Sequence, residues 1–258
     1  MNKVISVVNQ KGGVGKTTTA VNLSTALSAI EKKVLLIDLD PQGNLSTGLG
    51  FSSKDRKVTV YDLIMDENFS IEETIVKTKI PLLDIISSSI NLSGIEFELA
   101  NEKEKNIKLL NKLNNLKAEY DYIIIDCPPS LGILTVNALA ASNSIIVPLQ
   151  CEFYALEGLA QLLRTVESIR NNLNANLHLE GVVLTMYDSR NRLSEDVILD
   201  ARKHLGDKVF KTIIPRNVKL SEAPSHGLPA ILYDRKCSGS LAYIRLAKEF
   251  VSRLNINK

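Results

Sequence analysis

Val4-Ile5-Ser6-Val7-Val8-Asn9-Gln10-Lys11-Gly12-Gly13-Val14-Gly15-Lys16-Thr17-Thr18 decides how the chain is read. Residues 4–8 are a short, largely β-branched apolar run, and residues 16–30 carry apolar side chains at helical spacing, so the glycine-rich stretch joins a strand to a helix. Glycines at 12, 13 and 15 let successive backbone N–H groups point inward at an anion, and the positive end of the helix dipole adds to the attraction. Lys16 then reaches the β- and γ-phosphates of a nucleotide, and Thr17 puts its hydroxyl on an accompanying Mg²⁺. The expected cradle is Gly12, Gly13, Val14, Gly15, Lys16, Thr17 and Thr18. A glycine-rich turn with incidental lysines is the weaker reading, because a strand and a helix flank the motif on the required sides.

Outward from this motif, short apolar runs alternate with longer helical patterns. Strands are predicted over 4–8, 34–39, 82–87, 122–126, 145–149, 182–186 and 209–214, and helices over 16–30, 94–117, 131–141, 155–171, 195–204 and 239–254. Ser194 is the expected N-cap of the fifth helix. Within 101–117, Ile107, Leu110, Leu113 and Leu116 recur every three residues, which predicts an amphipathic surface helix with its charges in water. The βα alternation predicts an α/β protein, one doubly wound and mostly parallel sheet flanked by helices, as in P-loop NTPases. No internal repeat and no long Pro/Gly/Ser-rich linker divides residues 1–258, so one domain is expected.

The second strand runs into Ile37-Asp38-Leu39-Asp40-Pro41-Gln42-Gly43-Asn44. Strand periodicity puts Asp38 and Asp40 on one side, and carboxyl ends of adjacent parallel strands face one crevice. Two acids ending an apolar strand are costly unless they meet a cation or water, so both are candidates for a Mg²⁺ site. Tyr122-Ile123-Ile124-Ile125-Asp126-Cys127-Pro128-Pro129 is an apolar strand ending in one carboxylate, a Walker B pattern in which Asp126 holds Mg²⁺ through its water shell. Cys127 reads as a packing residue.

The chain has 258 residues, 45% of them apolar, and three cysteines too far apart for a disulfide framework or a C-x-x-C metal site. No run approaches the roughly 18 apolar residues of a membrane span, and no leader pattern opens the chain, which makes a cytoplasmic protein the expectation. The formal charge is only +2, yet residues 182–258 hold 14 Lys/Arg against 8 Asp/Glu. Arg190, Arg216, Lys219 and Arg235 belong to this basic excess, which contains no helix-turn-helix, zinc finger or aromatic RNA platform. Such residues suit phosphate contact without base reading, while a merely solvated basic face is the competing reading. His226, in the turn-rich stretch 220–229, reads as a loop hydrogen-bonding group.

One departure from the ordinary P-loop pattern is informative: Gln10 stands at the position of the first glycine, and Lys11 follows it. The string Lys11-Gly12-Gly13-Val14-Gly15-Lys16-Thr17-Thr18 resembles the deviant Walker A of the ParA/MinD superfamily. With the Asp38–Gln42 string, the Asp126–Pro129 string and the stretch from Pro215 to Pro229, the resemblance narrows to the ParA/Soj family and covers the chain from Lys3 to Phe250. It implies that Lys11 reaches across an ATP-bound homodimer to the partner's nucleotide, that Asp40 positions or activates the attacking water, and that Asp38 supports the metal network. It further implies that Pro215 and Asn217 flank the adenine, and that Arg190 and Arg216, then Lys219 and Arg235, contact double-stranded DNA non-specifically. Catalysis would then rest on Lys11, Lys16 and Asp40, with ATP and Mg²⁺ as cofactors. A ParB-type centromere-binding partner would trigger hydrolysis on the nucleoid. With no DNA-reading segment ahead of Lys3, the short form of the family is expected. Phosphoryl transfer depends on positioning and charge neutralisation, and a missing trans charge costs on the order of 10³–10⁵ in rate, so turnover should be slow without dimer and partner.

Three other readings fit less well. A MinD-type membrane ATPase needs a basic amphipathic C-terminal anchor, whereas the stripe Leu241, Ile244, Ala247, Val251 and Leu254 is followed by only Asn255, Ile256, Asn257 and Lys258 and is expected to pack on the sheet. An electron-transferring ATPase of the nitrogenase iron-protein type needs paired cysteines for a cluster, which Cys127, Cys151 and Cys237 do not supply. A purely structural DNA coat has no use for Lys16, Thr17, Asp40 and Asp126.

Overall fold

Seven strands form one sheet in the computed structural model, which describes residues 2–152 and 154–256. They are β1 (Lys3–Val7), β2 (Val34–Asp38), β3 (Val76–Lys77), β4 (Leu83–Ile86), β5 (Tyr122–Asp126), β6 (Ser144–Gln150) and β7 (His178–Thr185), in the order β3-β4-β2-β5-β1-β6-β7. All neighbours are parallel except β3, a two-residue antiparallel edge on β4. Helices connect them: α1 (Lys16–Ser28), α2 (Asn44–Gly48), α3 (Val60–Met65), α4 (Ile71–Thr74), α5 (Ile95–Glu98), α6 (Lys108–Asn114), α7 (Ile133–Ala141), α8 (Ala155–Asn172), α9 (Arg192–Leu205), α10 (Val218–Glu222), α11 (Ala230–Tyr233) and α12 (Ser238–Ile256).

The strands are apolar on both faces because helices cover both. Val4, Leu35, Ile37, Ile123 and Ile125 face one core with α3, α6, α7, α8 and α9, while Ile5, Val7, Val34, Leu36 and Ile124 face the other with α1 and α12. By the same alternation Asp38 and Asp126 point to the α1 side, paired in register at the ends of β2 and β5. Helix α1 is buried almost all round, since α12 lays Leu246 and Phe250 over it and the Tyr243 hydroxyl lies 3.1 Å from Thr19 Oγ1.

Five expectations are corrected. Residues 94–117 do not form one helix: α5 stops at Glu98, and α6 spans only seven residues. The buried face of α6 is Leu109 and Leu113, and its charges do not all face water, because Lys108 and Lys112 are each only 8% exposed. Lys112 Nζ donates to the Asp66, Glu67 and Phe69 carbonyls at 2.6–2.8 Å, and so satisfies backbone acceptors after α3. Residues 209–214 lie along β7 through the Phe210 and Ile214 amides, but the Lys211 and Thr212 amides turn to Glu249, so no regular strand forms. Asn191, not Ser194, caps α9, its Oδ1 accepting from the Leu193 amide. In α12 the buried stripe is Ala242, Tyr243, Leu246, Ala247, Phe250 and Leu254, with Leu241 turned outward; the expected tail residues Asn257 and Lys258 lie outside the described residues.

Candidate functional site

The site lies beyond the carboxyl ends of β1, β2 and β5. The turn after β1 is pinned at its start by Asn9, whose Nδ2 donates to the Pro148 carbonyl at 2.7 Å and whose Oδ1 accepts the Lys11 amide at 3.0 Å. Gly13 (φ +74°) and Gly15 (φ +89°) take the left-handed conformation that turns the amides inward, and a Cβ on Gly12 or Gly13 would meet only open space. Thr185 Oγ1 holds the turn from below by donating to the Val14 carbonyl at 2.9 Å. Gly12, Gly13, Gly15, Lys16, Thr17 and Thr18 line a cleft of about 640 Å³ with Asp40 opposite. Val14 is buried beneath it.

Lys16 is the first residue of α1, and its Nζ donates to the Lys11 carbonyl at 3.1 Å across the mouth of the turn. Burial lowers its pKa, against the pull of Asp126 and Asp40. Asp126 is fully buried, and neither carboxylate oxygen makes a hydrogen bond of ordinary geometry with the described residues, although the neighbouring Thr17 hydroxyl favours its charge. Desolvation, then the adjacent Asp38 charge, push its pKa well above the carboxylate range. A buried carboxylate with unused oxygens beside Thr17 is what a divalent cation with bound water requires, so Thr17 and Asp126 fit Mg²⁺.

Asp38 has a structural duty that its sequence position does not reveal. Its Oδ2 accepts from the Ser46 amide (2.8 Å) and hydroxyl (2.6 Å), and its Oδ1 accepts from the Asp40 amide at 3.3 Å, so it fixes the start of α2 and the turn that presents Asp40. Burial raises its pKa to about 6, with the Ser46 bonds opposing. Asp40 is half-buried at the cleft, and its Oδ1 accepts the Gln42 amide at 3.0 Å.

A second cavity of about 370 Å³ continues from the cradle along Thr18, Met186, Pro215, Asn217 and Tyr243. The Asn217 side chain is bonded at both ends, its Oδ1 capping α10 at the Lys219 amide (2.9 Å) and its Nδ2 donating to Ser238 Oγ (2.9 Å). These bonds hold Asn217 in the cavity wall. Met186 holds a left-handed conformation (φ +53°) at the junction of cavity and cleft.

Lys11 leaves its own cradle. Its Nζ lies 2.6 Å from Glu152 Oε2, while Gln150 Nε2 donates to the other Glu152 oxygen. Of the residues expected to touch DNA, Arg190 is clamped by Asp188 through two bonds of 2.9 and 2.7 Å, and Lys219 pairs with Glu222 at 2.8 Å. Arg216 and Arg235 are exposed. The Tyr187–Pro215 bridge joins the segments of Arg190 and Arg216, both of whose charges act on Asp188, and Tyr233 sets Lys219 near the loop of Arg235. Cys127 and Cys151 are buried, with thiol pKa values pushed up by burial. Among the described residues no cluster of metal-ligating side chains forms, and no helix is long and apolar enough to cross a membrane.

A glycine cradle at the tip of the central strand, a lysine at the helix start and an unpaired carboxylate on the next strand define a P-loop nucleotide-binding protein, here with a second lysine in the loop. The chain belongs to the ParA/Soj family of the ParA/MinD superfamily. It is 55% identical to the chromosome partitioning protein ParA of Caulobacter vibrioides over 253 residues, covering 97% of this chain and 94% of that one. It is 53% identical to the sporulation initiation inhibitor protein Soj of Bacillus subtilis over 249 residues, 96% and 98% of the two chains. Residues 2–179 match a family model described as an AAA domain. The fold is also that of cobyrinic acid a,c-diamide synthase from Mycobacterium smegmatis with bound ATP analog and magnesium, with a TM-score of 0.89 and 35% identity over 100% of this chain and 97% of that one.

Proposed function

We propose that the chain is a chromosome-partitioning ATPase that binds ATP with Mg²⁺, dimerises around it, and holds duplex DNA without reading sequence until hydrolysis lets go. The observation that carries this reading is the pair of lysines: Lys16 stays in its own cradle, while Lys11 points away from it to the surface at Glu152. A surface cation within the phosphate turn supports a role in completing a partner's site. Lys16 and the inward amides hold the phosphates, Thr17 and Asp126 take the metal, and Asp38 holds the turn while joining the metal network. Asp40 orients the attacking water, and Pro215 and Asn217 border the base. Bound Mg²⁺ supplies the charge neutralisation that phosphoryl transfer needs.

In this reading residues 1–258 act as one unit at the nucleoid, in the cytoplasm. Turnover is slow until a ParB-type partner engages the dimer. Arg216 and Arg235, with Arg190 and Lys219 once released from their acids, contact phosphates. Duplex binding measured with ATP, ADP or no nucleotide, at low and moderate salt, tests it. Salt-sensitive binding seen only with ATP, lost in Lys16→Ala and prolonged in Asp40→Ala, supports the switch; equal binding in every nucleotide state overturns it.

A further inference from the structure

Asp40 sits on a turn, and a carboxylate that must orient water is only as accurate as its backbone. Three side chains fix that backbone from outside the phosphate cradle. Ser88 Oγ makes a very short bond to the Asp40 carbonyl, and Ser46 Oγ accepts the Ser88 amide at 3.1 Å. The third is Arg56, a half-buried residue sixteen positions after Asp40 that belongs to no P-loop motif.

Its guanidinium spans the outside of the turn. Arg56 Nη2 donates to the Gly43 carbonyl (3.1 Å), to Thr47 Oγ1 (2.7 Å) and to the Phe51 carbonyl (2.9 Å); Nε also reaches the Phe51 carbonyl (3.1 Å), and Nη1 the Ser88 carbonyl (3.5 Å). Gly43 closes the turn by donating its amide to the Asp40 carbonyl at 2.8 Å. The guanidinium occupies the space where a Cβ on Gly43 would lie, so the turn and the arginine are fitted to each other. The chain is shaped to present Arg56: Asp55 Oδ2 accepts from the Ser52 amide at 3.0 Å and from the Ser52 hydroxyl, closing the small loop just before it. One planar fork thus ties together the end of the Asp40 turn, the helix that follows it, and the strand end that holds the Asp40 carbonyl. An ammonium cannot span these acceptors at once.

We infer that Arg56 is a positioning residue for hydrolysis, holding the Asp40–Gly43 turn so that the Asp40 carboxylate meets water at the γ-phosphate. The inference rests on the function proposed above. Misplacing a reacting group by about 1 Å costs on the order of 100-fold in rate, while nucleotide affinity comes from the P-loop, which Arg56 does not touch.

The test is steady-state ATP hydrolysis at saturating duplex DNA for wild type, Arg56→Ala, Arg56→Lys, Asp40→Ala and the Arg56→Ala/Asp40→Ala double variant, beside melting temperatures. Expected are a fall in kcat of about 10-fold or more for Arg56→Ala with KM within about threefold, and a fall in kcat for Arg56→Lys even where its melting temperature matches wild type. In the Asp40→Ala background the arginine change should cost less than about twofold further. If Arg56→Ala does not fold, Arg56→Lys carries the test alone. A kcat within twofold of wild type in a folded variant, or a loss confined to KM, overturns the inference. Wild type that does not hydrolyse ATP, or Asp40→Ala that hydrolyses it normally, brings down the underlying reading as well.

Discussion

Lys11 and Glu152, 141 residues apart, meet at 2.6 Å on the surface beside the phosphate turn. Both side chains are nearly half exposed, so the pair is worth at most about 1 kcal/mol. Yet a lysine bound to its own chain must leave that partner before it can serve another subunit. Glu152→Gln in an Asp40→Ala background is therefore expected to tighten ATP-dependent dimerisation by up to about fivefold in sedimentation experiments, since 1.4 kcal/mol corresponds to tenfold. Weaker dimerisation would mean that Glu152 acts in the dimer instead.

The buried, unpaired Asp126 sets a second expectation. Without metal the Asp126 carboxyl is buried beside Asp38 and makes no hydrogen bond of ordinary geometry, so Asp126→Asn, which removes the repulsion between the two acids, should stabilise the metal-free protein by on the order of 1–3 kcal/mol, read as a rise in melting temperature. The rise expected for wild type with Mg²⁺ and nucleotide should vanish in the variant. Unchanged melting in metal-free buffer would show that Asp126 is not strained by burial.

Asp38 gives this region a pH signature. Its pKa rises from 3.8 to about 6 on folding, so the folded chain binds its proton more tightly than the unfolded one. Stability from this group is present below 3.8 and is lost as pH rises through about 6, with Asp126 extending the loss upward. Denaturant melts of metal-free protein at pH 5 and 7.5 should show the higher midpoint at pH 5, and a reversed order would contradict the sign.

Acidic neighbours hold two of the expected DNA contacts, so the four basic residues should not behave alike. Arg216→Ala and Arg235→Ala are each expected to weaken duplex binding for all sequences and to reduce the salt slope by about 1. Arg190→Ala should cost less, because Asp188 already occupies its fork at 2.7 and 2.9 Å, and Asp188→Asn should tighten binding. Titrations at several salt concentrations would separate these outcomes; equal slopes for all four alanine variants would refute the ranking.

Gly227 (φ +63°) passes Gly50 (φ +87°) so closely that a Cβ on Gly227 would lie 2.8 Å from the Gly50 Cα. Gly227→Ala should destabilise the protein by at least about 1 kcal/mol and weaken nucleotide binding, because the loop bordering the base cavity must shift. A melting curve and a nucleotide titration check both effects.

The P-loop, Walker B strand and parallel sheet were legible because each joins a residue pattern to a local geometry: glycines between strand and helix, or an acid ending an apolar run. Arg56 and Glu152 were not, since each acts through a partner that only the tertiary fold brings near. The same holds for Lys112, whose charge reads as solvated until Asp66, Glu67 and Phe69 surround it with carbonyls. Residues 209–214 were misread as a strand because apolar composition cannot reveal that Glu249 takes two of their amides. The break after Glu98 carries no proline or glycine to announce it.

The place of β1 in the sheet has a consequence for how the protein is born. It is made before every other strand of the sheet, yet its neighbours are β5, from residue 122, and β6, from residue 144. Until nearly half of the chain has been synthesised, the strand carrying the phosphate turn has both edges unpaired. A nascent chain arrested at about residue 100 should therefore capture no nucleotide and should depend on chaperones to shield its apolar β1 and α1.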